Sequence, residues 1–237
     1  MYNLKLSSFL ISIVLLSGYL HSDIKDYIYP FYSSPSYSNY GSLGLIQNPT
    51  ARFHSNGTLG VTWTHHEPYL RGSVMAYPFD WLEAAYQYTD SNNRLYSRVK
   101  EFSGSQSHKD KSFDIKIRLL KESTFIPQLA LGIRDFGGTG LFGSEYFVIN
   151  KFLSSNLDVS IGIGWGNLNG NQISNPFKQI SSRFDSRTST IGEGGKVNID
   201  DFFSGDAGYF GGLEYVFPNL KGLRLKVEYD GTNYQTE

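Results

Sequence analysis

The stretch SFDIKIRLLKE, residues 112–122, alternates strictly: Phe113, Ile115, Ile117 and Leu119 take every second position, with Asp114, Lys116 and Arg118 between them. In an extended strand that period puts apolar groups on one face and charges on the other. The pattern recurs in TLGVTWT (58–64), DWLEAAYQYT (80–89), PQLALGIRDF (127–136), NLDVSIGIGWG (156–166) and LRLKVEYDG (223–231). Two architectures satisfy it. A soluble sheet buries the apolar face in a core and wets the charged one. A membrane barrel turns the apolar face to lipid and keeps the charges in a hydrated lumen.

With RGSVMAYPF, RLYSRVKEF, SEYFVINKF and GYFGGLEYVFP, the chain offers about ten strands joined mostly by short turns, an up-and-down antiparallel meander. Its 17 Tyr, 17 Phe and 25 Gly suit pleated surfaces and tight turns. No stretch of helical period is long enough for a βαβ unit, and no repeat of propeller or solenoid length appears. The rhythm breaks over 167–206, a polar Gly/Ser-rich stretch expected to form a long loop with a short helix near 176–184.

The N-terminus, MYNLKLSSFLISIVLLSGYLHSD, reads as a signal peptide over 1–22: Lys5 gives the positive start, residues 9–16 the apolar core, and Ser22 the small residue before cleavage. The apolar run is too short to span a bilayer as a helix, and no later segment is longer. Residues 23–56, rich in Tyr, Ser and Pro, form an irregular leader that packs inside or beneath a barrel of residues 57–237.

Charge and cysteine content exclude several classes. A net charge of −1 excludes a general nucleic-acid partner. With no Cys there is no disulfide framework, thiolate metal site, cysteine nucleophile or lipid-bearing N-terminal Cys.

The charged faces favour lipid over core. Trp63, Tyr77, Trp81, Tyr88, Trp165, Tyr209, Phe217 and Tyr229 gather near strand ends, where interfacial girdles sit. The opposite faces mix both signs (Glu83, Asp114, Lys116, Arg118, Arg134, Glu145, Asp158, Glu214, Arg224, Lys226 and Glu228) as a hydrated lumen requires. A charge facing lipid at mid-bilayer would cost about 2–4 kcal/mol, so such groups belong inside. The reading is an all-β antiparallel transmembrane barrel of the outer membrane; a soluble periplasmic β-domain that binds glycan or an assembly partner is the alternative.

Six residues are the candidate lumenal binding set: Arg52, Arg118, Arg134, Glu145, Glu214 and Arg224. Arg52 follows the turn-forming Asn48-Pro49 and is placed to reach a lumenal carboxylate such as Glu145, anchoring the leader. The glycines of DFGGTGLFGSEY read as a tight strand connection with positive-φ positions, since no strand-to-helix phosphate loop surrounds them. His65 and His66 point to opposite faces, His54 and His108 read as loop residues, and no metal or cofactor is expected. Asp200, Asp201 and Asp206, with Glu193, read as solvated loop acids; a glycan-modifying enzyme using them is the remotest reading, and no enzymatic activity is expected.

Three segments carry a resemblance: GLIQNPTARF (44–53), PQLALGIRDFGGTGLFGSEYFVINK (127–151) continuing into LDVSIGIGWGNL, and VEYDGTNY (227–234). They resemble the YjbH family of outer-membrane proteins linked to exopolysaccharide and capsule production. The resemblance runs from about residue 40 and implies a non-enzymatic barrel acting in polysaccharide export or surface assembly. The implied partners are outer-membrane lipid, polysaccharide and periplasmic export proteins. Family members are longer and often lipoproteins, and this chain ends at Glu237 without a terminal aromatic residue. It reads as a short or partial member.

Overall fold

A computed structural model describes residues 34–97, 99–188, 197, 199–220 and 222–234. The expected signal peptide and the start of the leader lie outside these residues. Nine strands follow one another: β1 (Thr58–His66), β2 (Tyr69–Phe79), β3 (Leu82–Leu95), β4 (Ser107–Leu120), β5 (Gln128–Arg134), β6 (Ser144–Ser154), β7 (Leu157–Trp165), β8 (Ala207–Val216) and β9 (Arg224–Tyr229). Each pairs antiparallel with the next, in the sheet order β1 to β9. The meander is therefore as expected, but the sheet is open: among the described residues no ladder joins β1 to β9.

The count falls short of ten for a local reason. The sequence reads residues 94–102 as a strand of their own and His108 as a loop residue. Instead β3 runs on to Leu95, a short helix α1 (Lys100–Ser103) turns the chain, and β4 begins at Ser107. Cross-strand pairs Asp90↔Lys109 and Ser91↔His108 extend the ladder, and an Asp90–Lys109 ion pair ties it. His108 is thus a strand residue. Apart from Leu95 the extension is polar, so apolar alternation cannot reveal it.

Polarity across the sheet is inverted relative to a soluble domain. Along β4, Asp110, Ser112, Asp114 and Lys116 are buried, while Phe113 on the other face is half exposed. On β1, Leu59, Val61 and Trp63 are 75, 77 and 72% exposed, and Ile161 of β7 is 59% exposed. Soluble chains bury such groups and rarely expose contiguous apolar faces. Here the enclosed side holds Glu83, Gln87, Lys116, Arg134, Asn150, Asp158 and Glu214, all buried.

The two ends of the sheet differ. Connections of 96–106, 135–143 and 166–206 lie at one end, with the two-residue turn after β1. At the other lie the shorter turns at 80–81, 121–127, 155–156 and 217–223. The connection after β5 is the glycine-rich segment, and Gly140 takes the positive φ (78°) expected there. The described part of the 166–206 connection, 166–188 with 197 and 199–206, is a loop with 3₁₀ turns at Pro176–Gln179 and Ser182–Phe184. It folds back over the outer face, where Trp165 stacks on Phe177 at 5.3 Å and meets Phe203 at 5.2 Å. Trp165 is consequently buried, and Tyr77 faces inward and is buried, so neither belongs to an exposed aromatic girdle. Trp63, Trp81, Tyr209 and Tyr229 are exposed.

Glycine and aromatic side chains share the enclosed space. A Cβ on Gly132 would lie 2.1 Å from the Tyr146 ring opposite it, and one on Gly162 would lie 2.2 Å from Phe210. Tyr146 and Phe210, 6.2 Å apart, pack with Ala51, Ala130, Val148 and Leu168 in a small apolar cluster inside the polar wall.

Candidate functional site

Residues 34–53 occupy the concave side of the sheet. Their regular structure is slight, two isolated bridges at Tyr37↔Leu43 and Gly44↔Pro49. A buried backbone without a ladder must find partners elsewhere, and here the wall supplies them. Every strand contributes.

β9 makes the closest grip. The Lys226 ammonium donates to the carbonyls of Tyr37, Gly44 and Leu45 at 3.1, 3.0 and 2.7 Å. Two residues on, the Glu228 carboxylate accepts the amides of Ile46, Gln47 and Asn48 at 2.9, 2.8 and 3.2 Å. One side chain serves three acceptors and the other three donors. The Asn48 side chain closes the same turn, donating to the Tyr229 carbonyl at 2.8 Å and accepting the Gly231 amide at 3.1 Å.

The remaining strands hold the rest of the leader. Thr62 and Thr64 of β1 donate to the carbonyls of Gly41 and Asn39 at 3.2 and 2.8 Å. Gln87 of β3 donates to the Tyr40 carbonyl and Gln128 of β5 to that of Ala51, whose amide is accepted by Asn150 of β6 at 2.7 Å. Arg71 of β2 lies 5.0 Å from the Tyr40 ring, and Lys116 of β4 lies 4.8 Å from the Phe53 ring.

Arg52 anchors the leader, through partners other than the expected Glu145. Its guanidinium forms a two-point contact with Asp158 of β7 at 2.6 and 2.8 Å, and a third with Glu122 at 2.5 Å. It also lies 3.6 Å over the Phe152 ring. Charge-assisted, bidentate contacts of this kind fix geometry as well as energy.

The other candidate residues divide. Arg134 is buried with its guanidinium 3.9 Å over the Tyr40 ring. Arg118 pairs with Asp80 at the short-turn end. Arg224 pairs with Glu214 and donates to the Ser34 carbonyl at 2.6 Å, while Ser36 donates to Glu214 at 2.8 Å. These groups line the concave side, most of them engaged with the leader. Glu145 does not. Its pairing with Ile133 puts it on the outer face, where Arg187 of the long loop clasps it at 2.8 and 3.0 Å and the Phe203 amide donates to it at 2.8 Å.

The acidic loop residues are dispersed: Asp206 pairs with Lys178 at 2.9 Å, and an Asp201 carboxylate oxygen accepts the Thr188 amide at 3.0 Å. Glu193 lies outside the described residues. Lys226, Glu228, Gln128 and Asn150 escaped the candidate set. Their signal was present, since each occupies the polar phase of an alternating strand, but nothing in one sequence tells which polar residues meet the leader.

A small cavity of about 80 Å³ lies between leader and wall, lined in part by Tyr40, Gln47, Arg71 and Arg134. It has room for a few waters and not for a sugar ring.

The three segments singled out in the sequence meet in space: 44–53 is held by 227–234 through Glu228 and Asn48, and by 127–151 through Gln128 and Asn150. Fold and site together define an all-β antiparallel sheet of inverted polarity, filled by its own preceding segment. Over residues 36–237 the sequence matches YjbH, described as exopolysaccharide biosynthesis protein YbjH, and the chain belongs to that family. It is 43% identical over 211 residues to the uncharacterized lipoprotein YjbH of Escherichia coli (strain K12). That match covers 88% of this chain and 30% of the relative, so the chain spans about a third of the relative's length. No solved structure matches it.

Proposed function

We propose that the chain forms part of the wall of an outer-membrane β-barrel, plugged by its leader, that assists secretion or surface assembly of an exopolysaccharide without catalysing a reaction. The observation that carries this reading is the exposed apolar face of β1 and β7 set against a buried charged face. In water that face would be a large uncovered patch; against acyl chains it is at rest. Strands of 9 to 14 residues in β1 to β4 suit a tilted crossing. Long connections at one end and short turns at the other match the outer and periplasmic ends of such barrels. Further strands would close the gap between β1 and β9. The Escherichia coli relative is described as a lipoprotein, which fits a place in the cell envelope.

With the leader seated, the interior is not a conduit, so the role is assistance at the surface alongside polysaccharide and periplasmic export proteins. Fractionation of cells expressing the chain tests the location. We expect it in the outer-membrane pellet, resistant to carbonate and released only by detergent. Recovery from the periplasmic supernatant without detergent would return the reading to a soluble β-domain.

A further inference from the structure

At the long-connection end of β3 and β4 a cleft of about 680 Å³ opens on the outer face of the sheet. Tyr86, Tyr88, Tyr96 and Phe113 line it with Lys109 and Lys111, and glycines 137 and 138 border it. The Tyr86 and Phe113 rings stand 5.3 Å apart, both partly exposed.

The two lysines differ. Lys109 is neutralised by Asp90 and donates to the Ser107 hydroxyl at 2.8 Å. Lys111, exposed and directly across from Tyr88, has no carboxylate partner among the described residues. An outward cation on an apolar face is tolerated near the bilayer interface and not at its centre. At that depth the ordinary counter-ion is a lipid phosphate.

We propose that this cleft binds the phosphate-bearing head group of a glycolipid in the outer leaflet. Lys111 takes the phosphate, the tyrosine rings take the C–H faces of the sugar, and Phe113 and Ile115 meet the first acyl carbons. Three observations select this occupant. A cation with no carboxylate partner among the described residues calls for an anion. The cleft is continuous with the apolar outer face rather than with the plugged interior. It also lies at the long-connection end, which the barrel reading assigns to the cell surface. The inference rests on that reading.

The test uses the full chain reconstituted from detergent, with four probes: a diphosphorylated disaccharide lipid, the same lipid without phosphates, inorganic phosphate and a soluble polysaccharide. Native mass spectrometry of the detergent-solubilised protein reads retention. The expected result is at least a fivefold preference for the phosphorylated lipid, lost in Lys111→Ala and kept in Lys111→Arg, since one interfacial cation is worth roughly fivefold. Equal retention by wild type and Lys111→Ala overturns the proposal. So does displacement by inorganic phosphate at equal concentration, or by a soluble polysaccharide. Flotation of the same samples with zwitterionic vesicles separates the two readings. If both proteins float and show no preference, only the cleft is refuted; if wild type fails to float, the membrane reading falls and takes the cleft with it.

Discussion

Arg52 is the residue on which most of the leader's electrostatics converge, because it compensates two buried carboxylates at once. Removing one partner of a buried pair leaves an uncompensated charge, at a cost of about 3–5 kcal/mol. Arg52→Ala should therefore lower the midpoint of heat denaturation in detergent markedly, and Arg52→Lys should recover little, since an ammonium cannot make the two-point contact with Asp158. An unchanged midpoint in Arg52→Ala would remove the anchor from the account. Asp135, in the connection after β5, carries a different liability. Its amide donates to Asp114 at 2.8 Å, and its own carboxylate accepts the Phe142 amide at 3.1 Å. Burial first, then the Asp110 carboxylate, push its pKa up to about 8. The unfolded value is about 3.9, so the folded state binds this proton more tightly. Its contribution to stability is complete below about pH 4 and is lost as pH rises through about 8. The denaturation midpoint should fall across that window, and Asp135→Asn, which tolerates the positive φ of 52°, should flatten the fall. A wild-type midpoint level from pH 5 to 9 would count against it.

At the scale of the strands, the membrane reading makes a claim that a soluble one does not. Ile161 lies at the centre of β7 on the outer face, 59% exposed. In water, Ile161→Arg would change stability by no more than about 0.5 kcal/mol. In lipid it should cost about 2–4 kcal/mol, read as a loss of folded protein in urea titrations of vesicle-inserted chain. The strands also show what alternation can and cannot convey. It gave the meander and the face of almost every charge, because a period of two is enforced by the backbone itself. It missed the polar extension of β3 and β4, where both faces are hydrophilic, and it misassigned Glu145. That residue lies in the outward phase of Phe147 and Ile149, and the loop-borne Arg187 and the Phe203 amide make its burial tolerable. Partners that come from distant loops leave no mark on a strand's own sequence. Arg52 as an anchor was legible for the same reason in reverse: an arginine beside a turn in an otherwise uncharged segment has to find an acid. Which acid depended on register.

At the scale of the molecule, wall and leader are not separable parts. Lys226, Glu228, Gln128 and Asn150 each make hydrogen bonds to residues 37–51. Deleting 34–53 should therefore yield a chain that is degraded or insoluble, not a stable emptied sheet, because buried polar groups would lose their partners. Protease resistance of membrane-inserted protein measures this, and a deletion variant as resistant as wild type would contradict it. The grip of Glu228 on the Ile46 amide also bears on timing, for the two lie 182 positions apart. Long-range pairing slows folding, and here the stretch translated before β1 must wait, docked or loose, until β9 has emerged. Maturation then becomes a single late event, and throughout the delay the nascent chain depends on whatever shields it from proteases and from its neighbours.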